Sequence, residues 1–549
     1  MADAKTPTDI SSIPKRSLDG APEKGLDADE VRLAQMGHTQ ELKRHFSTLS
    51  LIGLASTTTI SWTGLGLGLI TEINAGGPGA VIYGFILVTL LQCFLGASLA
   101  EFVSSYPTEG GMYHWIAAVA PKKLTGVLSF FTGWFSVLGC ELSPVPRQRA
   151  NRLLFFSFML TLEPFPLGIF TTASTNLIYA QVLMALIAVY HGDLEIQAWQ
   201  TFIVYQGLNL ITAAIVMYGN KIIPGLNKFS LFYLQIGWFV VMITVVACAP
   251  THRNADFVFR TWINNTGWEN QVICFITGLV NPLYSLGGLD GVTHITEEMP
   301  NPSRNAPLAI AITLCIAFVT GITYLIALMF SVQDFDALST TNTGLPLAEL
   351  FRQVTQSAGG AFGLTFILFV ALGPCVVSSQ LSTGRVFWAF SRDGAMPFSK
   401  VAYQRWSRVH PKWQIPMNSQ MAVTAIVAAL GCLYLGSSTA FNSLLGTAVT
   451  INNISYMFPI VTNLLTGRKN MHRGVFHMGP TLGPIVNGIT VCWLTFAIVF
   501  FSFPYVMPVE PANMNYTCVV VGGLGVLVGA WWFKAGSQYS EKMLQAKEE

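Results

Sequence analysis

Asp290 and His294 stand four residues apart in an apolar stretch, Gln271 to Thr296, which puts them on one face if the stretch is helical. A carboxylate inside a bilayer is costly unless it is paired, hydrated or protonated, so its presence there needs a reason. Three reasons fit. Asp290 meets the ammonium group of a solute, or it carries a coupling proton that His294 shares, or it faces a watery vestibule and holds helix packing. His294 can equally be a capped structural histidine. A second polar group lies far upstream, in Ser56-Thr57-Thr58-Thr59-Ile60-Ser61-Trp62-Thr63-Gly64, where a spanning helix should carry leucine-rich filling. At the start of a half-helix, unpaired N–H groups point outward with partial positive charge, which suits a carboxylate. Thr59, Ile60, Ser61, Thr63 and Gly64 fit that need, and Trp62 offers an amine or quaternary ammonium a ring face worth about 0.5 to 2 kcal/mol. Tyr284 and Phe275 are the aromatics beside the later group. The competing reading is that the hydroxyls bond their own backbone or a neighbouring helix. For the rings it is simple packing, since 12% of the chain is aromatic.

Both groups interrupt segments long enough to span a membrane: Ser47 to Ile70, and Gln271 to Thr296 with Gly287-Gly288-Leu289-Asp290-Gly291 at its middle. Where a helix unwinds in a bilayer, its freed N–H and C=O groups need partners, and a bound polar solute can supply them. Gly287, Gly288 and Asp290 therefore join Tyr284 as candidate substrate contacts. Composition agrees: the 549 residues are 52% hydrophobic and 11% charged, against about 25% charged in soluble domains. The chain reads as an all-α polytopic membrane protein. A net charge of +2 gives no reason to expect nucleic acid. The nine cysteines are scattered without C-x-x-C spacing and the nine histidines are dispersed without H-E-x-x-H. No metal, cofactor or enzyme chemistry is expected.

Spans are expected to start near Ser47, Gly79, Leu124, Trp199, Phe229, Gln271, Pro307, Gly359, Met417, Phe441, Leu482 and Tyr516, twelve in all. Residues 1–46 read as a disordered cytosolic tail without a cleavable signal, 47–533 as the membrane domain and 534–549 as a second cytosolic tail. With the N-terminus inside, the inner loops carry Lys122, Lys123, Lys221, Arg304, Arg405, Arg468 and others, and the outer loops only Arg253, Arg260 and Arg352. The positive-inside rule then puts both termini in the cytosol. Asn264-Asn265-Thr266, a glycosylation sequon at Asn264, falls outside. The broken helices are the first and sixth, a spacing that suggests a 5+5 inverted repeat with two helices appended.

Three stretches in order, "NAGGPGAVIYGFIL" from Asn74, "AEFVSSYPTEGGMYHW" from Ala100 and "EEMPNPSRNAPLAI" from Glu297, resemble signatures of the amino acid, polyamine and organocation permease superfamily. Within it the chain resembles the fungal amino acid/choline transporter family of GABA and choline permeases, over about Glu41 to Phe533. The resemblance implies a leucine-transporter-like fold and secondary transport, usually proton-coupled, with plasma membrane the expected location. It places the family's carboxylate-holding break on Thr59 to Gly64 and its sixth-helix acidic position on Asp290. A lysine that some relatives carry in the fifth helix has no counterpart in "FSLFYLQIGWFVVMIT".

Glu101, Glu109, Glu297 and Glu298 fall at cytosolic helix ends. Gating ion pairs with Arg304 or Arg385 are one reading; solvated carboxylates of little energetic weight are the other. Arg385 itself lies in a membrane run and needs a counter-charge. The segment Cys140 to Phe170, with four prolines and three arginines, splits the third helix where the family pattern has nothing. A retained intron in the gene model is the hypothesis, since Cys140-Glu141 can be encoded with a GTGAG splice donor. Tail lysines such as Lys5, Lys15, Lys24, Lys542 and Lys547 can take ubiquitin from a ligase or adaptor. A nutrient sensor of the same fold, and an importer or exporter of a specialised metabolite, are the alternatives to nutrient uptake.

Overall fold

A computed structural model describes residues 42, 44–137, 168–191, 196–339, 341, 344–395, 405–413, 415–436, 438–510 and 513–548. Ten helices among them are long and apolar enough to cross a membrane. The first span, broken into Thr48–Thr58, Ser61–Leu67 and Leu69–Asn74, and the tenth, Ser438–Leu465, complete the expected twelve. The others are Gly77–Ser105 (second), Thr125–Val137 with Gly168–Ala188 (third), Ala198–Tyr218 (fourth) and Ile223–Cys248 (fifth). The sixth comprises Gln271–Gly278, Val280–Ser285 and a 3₁₀ segment, Leu289–Glu298. Pro302–Ser331, Ala358–Arg392, Met417–Gly436, Gly479–Phe500 and Thr517–Glu548 are the seventh, eighth, ninth, eleventh and twelfth.

Second packs on seventh, third on eighth and fourth on ninth. The broken first and sixth spans meet at the centre. Pairing the first four spans with those five positions later is a pattern a 5+5 repeat can produce. Small residues make the crossings tight: a Cβ on Gly53 of the first span would come within 2.1 Å of the Asn227 carbonyl oxygen of the fifth. Apolar side chains such as Leu210, Ile211, Phe232 and Ile236 on the fourth and fifth spans are exposed, as lipid-facing positions must be.

Of the anomalous segment Cys140 to Phe170, all but Gly168, Ile169 and Phe170 lies outside the described residues; Ile169 and Phe170 are buried at the start of the second half of the third span. Tail residues 1–41 lie outside them too. In the stretch expected as a cytosolic C-terminal tail from 534, the twelfth helix runs on to Glu548. Tyr539 and Met543, one turn apart and buried, continue its apolar stripe. Tyr539 packs on the Phe130 ring at 5.3 Å and shares a 2.9 Å hydrogen bond with the Ser129 hydroxyl, both on the third span.

Candidate functional site

The first span begins with a reciprocal cap, Ser47 and Ser50 each accepting the other's backbone N–H. It stops at Thr59. Ile60 and Ser61 have φ of 50° and 40°, a region that residues other than glycine rarely adopt, at a cost of about 1–3 kcal/mol each. Ser61–Leu67 then restarts as a helix whose first N–H groups have no intrahelical acceptor. The hydroxyls of Thr57, Thr58, Thr59 and Thr63 all bond carbonyls of their own span, Leu54, Ala55 and Ile60 among them. So Thr59 and Thr63 stabilise the break's ends with their side chains. Ser61 and Gly64 are buried, and Gly64 packs against Ser285 of the sixth span. Trp62 is fully buried, with its ring edge-on to Tyr324 of the seventh span at 5.3 Å.

The sixth span breaks after Ser285. Gly288 has φ +70°, and a Cβ there would meet the Thr58 carbonyl oxygen at 2.8 Å; one on Gly291 would meet the Thr58 side chain at 3.0 Å. Only glycine lets the two breaks touch. Thr58, Gly287, Gly288 and Asp290 are the residues at this junction that keep some exposure, 17% for the Asp290 side chain. Carbonyls near the breaks find side chains from neighbouring spans. Gln92 of the second donates to Leu286 O at 3.4 Å, Asn281 to Leu65 O at 3.1 Å and Ser382 of the eighth to Gly291 O at 3.3 Å. Tyr284 reaches Ser174 of the third span at 3.3 Å. Phe275 packs instead on Trp262, at 5.7 Å, and Glu72 is buried beside Asn281.

Asp290 is held from two sides. The Tyr456 hydroxyl of the tenth span donates to its Oδ1 at 2.7 Å, and His294 Nε2 lies 3.1 Å from its Oδ2. His294 Nδ1 lies 3.0 Å from the Glu109 carbonyl oxygen, which can only accept, so Nδ1 carries a hydrogen. The Nε2 contact then needs a proton of its own, either on the imidazole or on the carboxyl.

The end of the bundle that carries the basic loops is sealed by buried ion pairs. Arg385 Nε lies 2.6 Å from Glu298 Oε1, with both side chains 1% exposed. Arg392 pairs with Glu297 at 3.1 Å and Arg468 with Glu101 at 2.6 Å. This overturns the solvated reading of those glutamates and supplies the counter-charge Arg385 needed; Arg304 is exposed. Asp393 accepts from Tyr113 and approaches His114, each at 2.8 Å. In the fifth span Asn227 accepts from Ser378, which in turn accepts from Thr57: a neutral chain of 3.2 Å bonds joining first, eighth and fifth spans.

Two broken, touching helices inside a sealed bundle of spans define a membrane transporter, not an enzyme. The amino acid permease family matches residues 46–145 and 148–524, and the chain belongs to that family. It is 34% identical to the choline transporter of Saccharomyces cerevisiae over 510 residues, 92% of this chain and 84% of that one. It is 30% identical to the amino-acid permease BAT1 homolog of Oryza sativa over 523 residues, 92% and 94% of the two chains. The transmembrane transporter swnT of Metarhizium robertsii is 29% identical over 493 residues, 90% and 91% of the two.

Proposed function

We propose that the protein takes up a small amine of the choline or amino acid class together with a proton, by alternating access, with its basic end and both termini in the cytosol of a cell whose plasma membrane it crosses. The observation that carries this is the Asp290–His294 pair beside the partly exposed junction of Thr58, Gly287 and Gly288. Asp290, flanked by the Tyr456 hydroxyl and the His294 imidazole, offers a carboxylate that can meet an ammonium group, and the Asp290–His294 pair can hold the proton that travels with the solute. A carboxylate on the solute, where there is one, meets the N–H groups of Trp62 and Thr63, since those of Ser61 and Gly64 already donate to Thr59 and Ile60 carbonyls. Similarity to a protein named as a choline transporter supports an ammonium-bearing solute. The solute and proton enter with the ion-paired end shut. The bundle of first, second, sixth and seventh spans then rocks, the Glu–Arg pairs part, and both leave to the cytosol. Asn264 is the proposed glycosylation site: it is exposed, and its Oδ1 accepts from the Thr266 hydroxyl at 2.8 Å.

The test is uptake of labelled choline, GABA and a mixed amino acid set by permease-deficient yeast expressing the chain, with and without a protonophore. Protonophore-sensitive uptake of one solute, lost in Asp290→Asn, is expected. Uptake that ignores both the protonophore and Asp290→Asn would refute the coupling and the site together.

A further inference from the structure

The ion-paired end contains one carboxylate too many. Glu109, in the loop between the second span and the short helix Met112–Val119, is fully buried, and neither of its oxygens has a hydrogen-bond partner. Glu297 and Glu298 of the sixth span and Arg385 and Arg392 of the eighth surround it. Both arginines are already matched, Arg385 to Glu298 and Arg392 to Glu297. His294, also on the sixth span, is spent on the Glu109 backbone carbonyl. On Glu109's own side, Tyr113 and His114 turn to Asp393. An ionised Glu109 would therefore be a third carboxylate beside two guanidinium groups; Arg385 Nη2 has no hydrogen-bond partner yet does not reach Glu109, so the buried cluster disfavours the ionised form. Among the described residues no three histidine, cysteine or carboxylate side chains converge as a metal site.

We infer that Glu109 is a second proton-binding site, filled when the ion-paired end is closed and emptied when it opens. Burial and the two neighbouring glutamates push the Glu109 carboxyl well above the usual carboxylate range, with the arginines only partly offsetting them. Opening the end hydrates the group and separates it from Glu297 and Glu298, so the O–H bond breaks and the proton passes to the water of the opened side. The sign follows: a carboxyl raised in the closed state favours that state below its closed-state pKa, and the preference fades as pH rises through it. The device links closure to protonation independently of Asp290, while resting on the alternating-access reading above.

The experiment needs no solute. Ala389, fully buried and on the face of the eighth span between Arg385 and Arg392, is replaced by cysteine in the full-length chain. Maleimide labelling at that position is followed from pH 5 to 9, over a parent lacking the substitution. Each rate is divided by that of the unfolded chain at the same pH, which removes the thiol's own ionisation. The normalised rate is expected to climb with pH, by up to about tenfold per unit for one proton. Glu109→Gln should flatten the profile, and Glu109→Asp should keep the slope with a displaced midpoint. A flat profile in the A389C chain, a Glu109→Gln profile that keeps its slope, or a Glu109→Asp profile with an unmoved midpoint overturns the inference. The aspartate variant decides the matter if the glutamine one fails to fold. Replacing sodium by N-methylglucamine should change nothing; loss of the slope would assign the site to a metal cation instead. Uptake can fail for every solute tried while this profile persists, so the two readings fall separately.

Discussion

Arg385→Gln isolates what the buried ion pairs contribute to closure. In the closed arrangement the substitution leaves Glu298, 1% exposed and formerly 2.6 Å from the guanidinium, as a buried charge without its partner. Breaking such a pair costs about 3–5 kcal/mol. In an open arrangement the same two groups are hydrated, and losing the pair costs about 0–1 kcal/mol. The difference, about 2–5 kcal/mol, lowers the ratio of closed to open protein by a factor of about 30 to several thousand. Uptake should collapse while the protein remains folded in detergent, and maleimide should reach A389C at a rate near that of the open form at every pH. Glu298→Gln combined with Arg385→Gln removes the stranded charge and should recover most of the closed population, giving a large coupling energy in the double-mutant cycle. Additive effects of the two substitutions, or wild-type labelling in Arg385→Gln, would show that the pair does not hold the end shut.

Four further outcomes are expected. Tyr456→Phe removes the 2.7 Å donor to Asp290 and should lower uptake severalfold, displacing its pH midpoint, while chain stability in a thermal melt changes by about 1 kcal/mol. Gly288→Ala places a Cβ 2.8 Å from the Thr58 carbonyl oxygen at a φ of +70° and should abolish uptake with normal surface delivery, as seen by surface biotinylation. Asn264→Gln should sharpen and speed the band on a denaturing gel, as peptide N-glycosidase treatment of the parent would, and leave uptake unchanged. A form lacking Cys140 to Phe170 should match the transcript sequenced from the source and transport at least as well as the full chain; reads that always include the segment sink the intron hypothesis.

Both breaks were legible because polar and glycine residues stand out against apolar runs, and Asp290 with His294 because four residues make one turn. Partners brought from elsewhere were not. Tyr456 lies 166 positions from Asp290, and Gln92 lies 194 from Leu286; no local spacing announces either, since packing alone joins them. Glu72 escaped notice at the end of the first span because a terminal carboxylate normally reaches water. The charged helix ends misled in the other direction. From sequence, glutamates beside basic loops look hydrated, and only the packing of the sixth span against the eighth shows Glu297 and Glu298 to be dry. The backbone carries the same lesson at Ile60: nothing in an isoleucine suggests a left-handed conformation, which tertiary contacts impose against its preference.

The chain's two ends are fastened to the same charged cluster. The backbone N–H groups of His45 and Phe46 donate to the Glu298 carbonyl at 3.2 and 3.3 Å, and the Lys542 ammonium donates to the Arg392 carbonyl at 2.7 Å. In the proposed cycle residues 298 and 392 belong to spans that separate to release the solute, so each turnover would drag the segments around His45 and Lys542 apart or cut them loose. A donor fluorophore ahead of His45 and an acceptor after Lys542 would convert that movement into a change of energy transfer. The protein would then report its own cycle optically, in a living cell and without a radioactive solute, through the part of the molecule that touches no solute at all.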